Sequence, residues 1–472
     1  MEIESINIAS TEHSKRHESP WSAFFIWLAG TFNIGLYPII FMLSGEYTTP
    51  QLIFIFIASS SFFIVVAMIS IPGFRLGIST IAYSKTIFTN SIVRAIASNG
   101  WITDIGWQTM GLMTLFYIIV SVIDRLDVMP LRPGAISAIV IGSLLTYSVP
   151  FIGHHALALA QKIISIFVVS FSMIIIIYDY HASTFAGHVL NVAHGGFYYT
   201  LSGLCVALIA GAISWSPSAS DYTRFIKASH SGKSVFLSIL FGGVAGNSLL
   251  LISGYILYTN GGVSITQSGI LISRNIASNS MIYYLALLFF GLSLIATNFI
   301  SSYSSTFKAS IAINKEVNKS YLLVLDGVVA TTLSSIVVIN GHSYITSIKD
   351  FLSLAQLVVV PWAGIAAANS TLFIINHRSR ILALNDSSYL KIKSSLNSFV
   401  FILTFILTAC FSKNSFWHGY LLPLTHNFNL APLIGFLFSL LLTCILLIFL
   451  YWWKSGYVKI LSRKAQSIGG SL

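Results

Sequence analysis

The chain has 472 residues, of which 55% are hydrophobic and only 8% are charged. An average soluble domain carries about 25% charged residues, so this composition cannot cover the surface of a water-soluble protein. The apolar runs are continuous and about 20 residues long, the length with which a helix crosses a bilayer core of ~30 Å. Strands of a membrane barrel would alternate apolar and polar residues instead. The composition therefore predicts an all-α polytopic membrane protein.

A hydropathy window of about 19 residues predicts twelve membrane spans. They are 21–43, 52–71, 101–123, 134–153, 162–179, 198–219, 234–259, 281–303, 320–340, 351–375, 396–412 and 431–453. An even number of spans places both termini on the same side of the membrane. The first twenty residues are polar, so they are predicted to be a tail and not a cleavable signal peptide.

The net charge is +11, from 25 Lys and Arg against 14 Asp and Glu. With these spans, twenty of the 25 basic residues fall on the side that holds both termini. Cytoplasmic loops of membrane proteins carry such an excess. We therefore expect a plasma (inner) membrane protein with cytoplasmic termini, surrounded by lipid, and the basic excess requires no nucleic-acid partner.

Few side chains in the spans suit catalysis or metal binding. All three cysteines lie in apolar runs, which argues against disulfides. The histidines are scattered, and only His154 and His155 are adjacent, so no histidine-based metal site is predicted. An embedded enzyme would need convergent acid, base or metal groups. Neither an enzyme nor an organic cofactor is expected.

Glycine and proline interrupt two predicted spans near their middle. The first span contains Gly30, Asn33 and Pro38, and the sixth contains Gly211 and Pro217. Lipid satisfies no backbone hydrogen bonds, so irregular backbone at membrane depth must line a protein cavity. Interrupted helices at matching positions of two halves indicate the binding site of a transporter.

The first and sixth spans are also the first members of two sets of five. An odd number of helices per set gives the two repeats opposite orientations in the bilayer, so we predict a 5+5 inverted repeat followed by two helices. The predicted segments are a cytoplasmic tail at 1–20, a first repeat at 21–180, a second repeat at 198–375, two further helices at 396–453 and a cytoplasmic tail at 454–472.

The third and eighth spans carry polar and aromatic side chains that suit a binding site. Trp107 and Gln108 lie inside the third span, where an indole can stack on a planar ring and an amide can read its N–H and C=O groups. Ser293 and Thr297 share one face of the eighth span, with Asn298 beside them. Their hydroxyls could complete a cation site against the first span. A core tryptophan and close helix packing are the alternatives.

Four charged residues and one further tryptophan have several interpretations. Asp104 and Asp326 are the candidates for intramembrane proton binding, although Asp326 is expected to be structural. Asp221 and Arg224 follow the sixth span at a spacing that allows an ion pair, so they predict either an inner gate or a solvated helix end. Trp101 is predicted to be an interfacial anchor.

Five stretches, in their order along the chain, resemble the nucleobase:cation symporter-1 family, nearest to its purine/cytosine permease branch. They are Trp27 with Asn33 and Pro38, then 72–77, 101–107, 214–225 and 361–365. That family is similar in fold to the leucine-transporter type, which implies the same 5+5 inverted repeat plus two helices.

The resemblance implies roles for the residues that match the family's motifs. Trp107 would stack on the substrate, and relatives frequently have an aromatic residue where this chain has Ala212, so one stacking face is either missing or supplied by Trp215. The implied substrate-binding residues are Asn33, Trp107, Gln108, Gly211, Ala212, Trp215, Asn298 and Ser302. The implied sodium site is Gly30, Asn33, Ser293 and Thr297, with Asp221 and Arg224 as a gate. Ala296 lacks a hydroxyl that relatives use, which leaves proton coupling as the rival.

Together these features predict a monomeric secondary transporter that imports a nucleobase, cytosine or a purine, or a related planar heterocycle with sodium or a proton. Thiamine-, hydantoin- and allantoin-like substrates remain open. An amino-acid transporter of the same architecture is the alternative, in which free N–H groups of the first span would bind a carboxylate. A channel would leave the Trp107 pocket unexplained.

Overall fold

The computed structural model describes residues 11–12, 15–127, 130–182, 196–259, 264–266, 269–271, 280–339, 344–375 and 387–469. The described part is almost entirely helical. Its main helices are α1a (Pro20–Thr31), α1b (Tyr37–Glu46), α2a (Thr49–Ser61), α2b (Phe63–Leu76), α3 (Asn90–Leu126), α4 (Leu131–Ile152), α5 (His154–Ala182), α6a (Phe197–Ala210), α6b (Ala212–Trp215), α7 (Gly232–Thr259), α8 (Ser280–Ile313), α9 (Lys319–Ile339), α10 (Tyr344–Ile375), α11 (Ser387–Cys410) and α12 (Ala431–Gly469). A short antiparallel hairpin, β1 (Ser264–Thr266) and β2 (Gly269–Leu271), lies between α7 and α8.

Each of the twelve predicted spans coincides with one of these helices or with a broken pair. Within the described residues, eleven spans are long and apolar enough to cross a membrane, and the fourth has a shorter apolar part, Ile136–Ile152. Several boundaries differ clearly from the prediction, because α3 begins at Asn90, α8 continues to Ile313, α11 begins at Ser387, and α12 continues to Gly469 through most of the predicted tail. As a result Lys308, which the predicted spans placed in a loop, lies inside α8.

The first and sixth spans are broken, as predicted. Between α1a and α1b the backbone leaves helical geometry at Phe32 and Asn33 and passes through one 3-10 turn, Ile34–Leu36. The Asn33 side chain accepts a hydrogen bond from the Gly35 N–H at 3.0 Å, which caps this turn. In the sixth span Gly211 separates α6a from α6b with φ −106° and ψ −119°.

Helix α1a is held firmly by its neighbours, so the position of its broken end is fixed. A Cβ atom at Gly246 of α7 would collide with the Leu28 carbonyl oxygen and the Thr31 hydroxyl, which shows how closely the two helices approach. Thr31 donates to the Trp27 carbonyl at 2.7 Å, within its own helix. On the other side α1a contacts α5 and α8.

Helices α3 and α8 pack against each other and form the centre of the bundle, while α11 and α12 pack on α10. We call the side on which α1a begins the N side and the opposite side the far side. On the N side Arg16 donates from Nε to the Ile226 carbonyl at 2.9 Å and from its terminal nitrogen to the Phe74 carbonyl at 2.5 Å. Glu18 pairs with the backbone of Phe225 and Lys227. This N-terminal strap, residues 15–19, connects the last turn of α2b to the segment that follows α6b.

Candidate functional site

The hydroxyls of α8 face the broken backbone of the first span. Thr297 donates to the Gly30 carbonyl at 3.2 Å, and Ser293 donates a short hydrogen bond to the Phe32 carbonyl. The Ile34 N–H donates to the Ser293 hydroxyl at 3.4 Å. The structure therefore brings Gly30, Ser293 and Thr297 together.

These atoms are neutral oxygens of the kind that coordinate small cations in broken-helix transporters. The Asn33 side chain is engaged in its cap, so only its backbone remains for such a site. The nearby Ala296 carbonyl accepts a hydrogen bond from the Gln161 amide of α5 at 2.7 Å. Gln161 was not expected from the sequence, because nothing in the α5 pattern distinguishes it from a helix-packing residue.

An aromatic pair lies on α3 and α10. The Trp107 and Phe351 rings meet edge to face, with centroids 5.4 Å apart and planes at 88°. A Cβ at Gly106 would collide with the Phe351 ring, so glycine permits this contact. Trp107 is half-buried, and its orientation is therefore fixed from one side while part of the indole stays accessible. Phe351 has no sequence signature that separates it from other span aromatics.

Asn298 reaches from α8 onto the same face of α3. A Cβ at Gly111 would lie 2.5 Å from both the Oδ1 and Nδ2 atoms of Asn298, so the amide fills the space that glycine leaves. Asn298 is 1% exposed, and its Nδ2 has no hydrogen-bond partner within the described chain. Trp107 and Gly111 are four residues apart and share a helix face. An indole and an amide donor therefore lie side by side.

Gln108 points elsewhere. Its Oε1 accepts a hydrogen bond from the Tyr147 hydroxyl of α4 at 2.7 Å, and the side chain is fully buried. Consecutive helix residues do not share a face, so Gln108 lies behind the face of Trp107. Ser302 also turns inward, donating to the Asn298 carbonyl at 2.7 Å.

The sixth span contributes mainly backbone. Gly211 and Ala212 form the break, and Ala212 is buried. The Trp215 ring packs edge to face on Trp27 of α1a, with centroids 5.9 Å apart. It therefore connects α6b to α1a, and its described ring contact is not with Trp107.

Asp221 and Arg224 are buried, so the interpretation as a solvated helix end is wrong. Asp221 is 0% exposed and accepts the Thr80 N–H at 2.9 Å and the Ser304 hydroxyl at 2.6 Å. The Arg224 guanidinium lies over the rings of Phe225 and Phe307, 4.7 and 4.3 Å from their centroids. The gate itself stays a prediction.

A cavity of about 410 Å³ opens on the far side among α1b, α6a and α10. Met42 and Tyr47 line one wall, and Lys349 and Lys413 lie near its mouth. The cavity also touches Ile209 and Leu352, which immediately neighbour the α6 break and Phe351. It therefore approaches the α6 break from the far side, and its lining includes neither Trp107 nor Phe351.

Two broken helices beside a central α3–α8 pair define the class of secondary transporters built from inverted repeats. The particular family follows from the sequence, because residues 10–435 match the model for permeases for cytosine/purines, uracil, thiamine and allantoin. The match covers most of the chain, and the chain belongs to this family of membrane transporters. No curated protein sequence matches it.

Solved transporter structures share the fold. Mhp1, a nucleobase-cation-symport-1 family transporter, in a closed conformation with bromovinylhydantoin bound, is 14% identical, with a TM-score of 0.69 over 94% of this chain and 96% of that one. Inward-facing Mhp1 is 14% identical, with a TM-score of 0.64 over 96% of this chain and 95% of that one. A Na+-coupled sialic acid symporter, substrate-bound and outward-open, is 15% identical, with a TM-score of 0.54 over 84% of this chain and 91% of that one. The predicted multi-pass 5+5 architecture is confirmed.

Proposed function

We propose that this permease imports a nucleobase-like planar heterocycle together with a cation, by alternating access. The observation that carries the proposal is the shared face of Trp107 and Asn298, one offering an aromatic plane and the other a buried amide donor without a partner. A planar heterocycle with ring carbonyls or ring nitrogens can stack on the aromatic plane and accept a hydrogen bond from the amide donor. The substrates in the family's description, and the hydantoin bound to Mhp1, support this class.

In this proposal the remaining predicted residues have three kinds of role. Gly211 and Ala212 let the substrate approach the backbone of the α6 break. Gln108 and Ser302 position the Trp107–Asn298 face, because Gln108 bonds Tyr147 of α4 behind it and Ser302 bonds the Asn298 carbonyl. Trp215 holds α6b against α1a. An amino-acid substrate would make the Trp107–Asn298 face unnecessary.

We propose import from the far side, and the difference between the two sides of the bundle supports this direction. The far-side cavity ends beside the α6 break, while buried side chains and the N-terminal strap close the N side. We propose that the N side is cytoplasmic, in the plasma (inner) membrane, because it carries the excess of Lys and Arg. The arrangement then corresponds to an outward-accessible state of a monomeric importer.

The broken first span and α8 supply one place for the coupling cation. It would bind among the Gly30 and Phe32 carbonyls and the Ser293 and Thr297 hydroxyls, holding α1 against α8. If the cation raises substrate affinity, the substrate must raise cation affinity by the same factor. The intramembrane carboxylates offer a second place.

The test is binding and counterflow of radiolabelled cytosine, adenine, uracil, thiamine and allantoin by the purified protein in proteoliposomes. We expect Trp107→Leu to raise Kd for the transported base about 5- to 150-fold, because stacking of a base on an aromatic ring contributes ~1–3 kcal/mol. Trp21→Leu, a tryptophan that is 65% exposed, is the matched control. Exchange of amino acids but no bases, or an unchanged Kd in Trp107→Leu, contradicts the proposal.

A further inference from the structure

A buried ion pair lies one turn from the substrate face, on its N side. The Lys308 Nζ of α8 is 2.6 Å from Oδ2 of Asp104 and 3.0 Å from the Ser218 hydroxyl. Lys308 is only 2% exposed, and Asp104 is also buried. Asp104 lies three residues before Trp107 on α3. A change at this pair therefore acts directly beside the proposed substrate.

A continuous chain of hydrogen bonds connects the ion pair to the N side. Ser218 and Ser304 share a hydrogen bond of 2.8 Å, and Ser304 donates to Oδ2 of Asp221 at 2.6 Å. Asp221 accepts the Thr80 N–H, which belongs to the connection between α2b and α3. These bonds tie the ion pair to the buried Asp221 network that closes the N side.

The other charged groups around Asp104 are held by different partners. Asp326 of α9 accepts the Trp101 indole N–H at 2.8 Å and the Ser305 hydroxyl. Asp221 is bonded as described above, and the Arg224 and Lys319 cations lie over Phe307 and Tyr303.

The titratable phenol of α4, Tyr147, donates to Gln108. Lys308 is thus the charged group within ion-pair distance of Asp104 in the described part of the chain.

The carbonyls of the broken first span already accept hydrogen bonds from hydroxyls of α8. The Ser293 and Thr297 hydroxyls donate to these carbonyls, and the Ala296 backbone carbonyl accepts from Gln161. A sodium ion would have to replace these hydrogen bonds. Buried charges at membrane depth are costly and usually functional, and the Asp104–Lys308 pair is such a case.

We propose that Asp104 is the proton-binding residue of the transport cycle, with Lys308 as its internal counter-charge, so that substrate import is coupled to protons. This rests on the proposed transport function. A proton that binds Oδ2 converts the carboxylate to the neutral acid and removes the ion pair. The ammonium of Lys308 then keeps only Ser218, which loosens the contact among α3, α8 and the segment after α6b on the N side. Loss of the proton to the N side restores the pair.

The first experiment uses proteoliposomes with imposed gradients of pH or of sodium. We expect the wild type to accumulate its base under an inward proton gradient, with no response to sodium. Asp104→Asn, which keeps the side-chain shape, should retain counterflow exchange of labelled base but lose accumulation. Asp124→Asn is the matched control, because Asp124 is an exposed carboxylate on the same helix. Sodium-driven accumulation, or unchanged proton-driven accumulation in Asp104→Asn, overturns the proposal.

A second measurement is independent of transport. Infrared difference spectra of the purified protein between acidic and alkaline buffer should show the C=O bands of all carboxyls that take up a proton, and one component of these bands should be missing in Asp104→Asn and kept in Asp326→Asn. Loss of that component in Asp326→Asn instead, or its persistence in Asp104→Asn, overturns the assignment. If no base is exchanged by any variant while the component follows Asp104, the transport function fails and the proton site stands.

Discussion

The proposed recognition face of α3 includes side chains from other helices. At Gly106 and Gly111 the helix has no side chain of its own, and Phe351 and Asn298 fill the space. The polar and aromatic character of the site thus depends on two positions where α3 contributes only backbone. Trp107 directly follows Gly106 in the chain and shares a helix face with Gly111, four residues later.

This dependence makes Gly111→Ala a sharp test. The new Cβ would lie 2.5 Å from both amide atoms of Asn298, so the amide must move away from its position. A net hydrogen bond contributes about 0.5–1.5 kcal/mol, and we expect Kd for the base to rise about 2- to 10-fold. Gly291→Ala is the control, because its Cβ would meet only Leu115 at 3.5 Å. Equal affinities in the two variants, measured by titration calorimetry, would contradict a role for the Asn298 amide.

Residue types near the site could be predicted, but their partners could not. Trp107 and Asn298 follow from the family resemblance, whereas the direction of Gln108 depends on Tyr147, 39 residues away. Lys308 was assigned to a loop because polar residues lower the hydropathy at the end of α8. The burial of Lys308 depends on its ion pair with Asp104. Trp101 was expected to be an interfacial anchor, yet its indole N–H bonds Asp326. Such pairs join distant parts of the chain and leave no local pattern.

At the scale of elements, the breaks in α1 and α6 are local properties and could therefore be predicted. The interruption of the sixth span occurs at Gly211, and that of the first span occurs at Phe32 and Asn33, between Gly30 and Pro38. What holds the broken ends could not be predicted from the interrupted spans themselves. The end of α1a is fixed by close packing against Gly246 of α7 and by the Ser293 and Thr297 hydroxyls of α8.

Gly246→Ala should therefore destabilise the protein through α1a. Its Cβ would collide with a backbone carbonyl, which cannot rotate away as a flexible side chain could. Overpacking of this kind costs about 1–3 kcal/mol, so we expect a lower Tm in detergent and reduced uptake. Gly196→Ala provides the comparison, because no atom lies within 4 Å of its added Cβ. A wild-type Tm in Gly246→Ala would show that α1a moves freely against α7.

At the scale of the whole molecule, the two sides of the bundle differ in how they are closed. The far side holds an open cavity, whereas the N side is joined by the strap and by the buried Asp221 network. Arg16 is central to this closure, because its two hydrogen bonds join the last turn of α2b to the segment after α6b. In alternating access these contacts must break when the far side closes, so the strap sets the balance between the two states.

Removing the strap's guanidinium should shift this balance. Hydrogen bonds to charged groups contribute about 1.5–3 kcal/mol, so Arg16→Ala is expected to favour the state that is open on the N side. Met42→Cys, introduced into a variant whose three native cysteines are serine, reports on the far-side cavity that Met42 lines. Its labelling by an impermeant maleimide in sealed vesicles should slow in Arg16→Ala and stay unchanged in Lys15→Ala, whose side chain is exposed.

Phe416→Cys, at a position that is 78% exposed in the loop before α12, should label equally in all backgrounds and corrects for vesicle orientation. Faster labelling of Met42→Cys in Arg16→Ala would mean that the strap holds the far side closed. Equal labelling would mean that Arg16 stabilises the fold without preferring either state, and a lower Tm without a labelling change would identify that role. Slower labelling, reversed by an added base that binds from the far side, would show that strap and substrate act on one equilibrium, because a ligand shifts only states that it binds with different affinity.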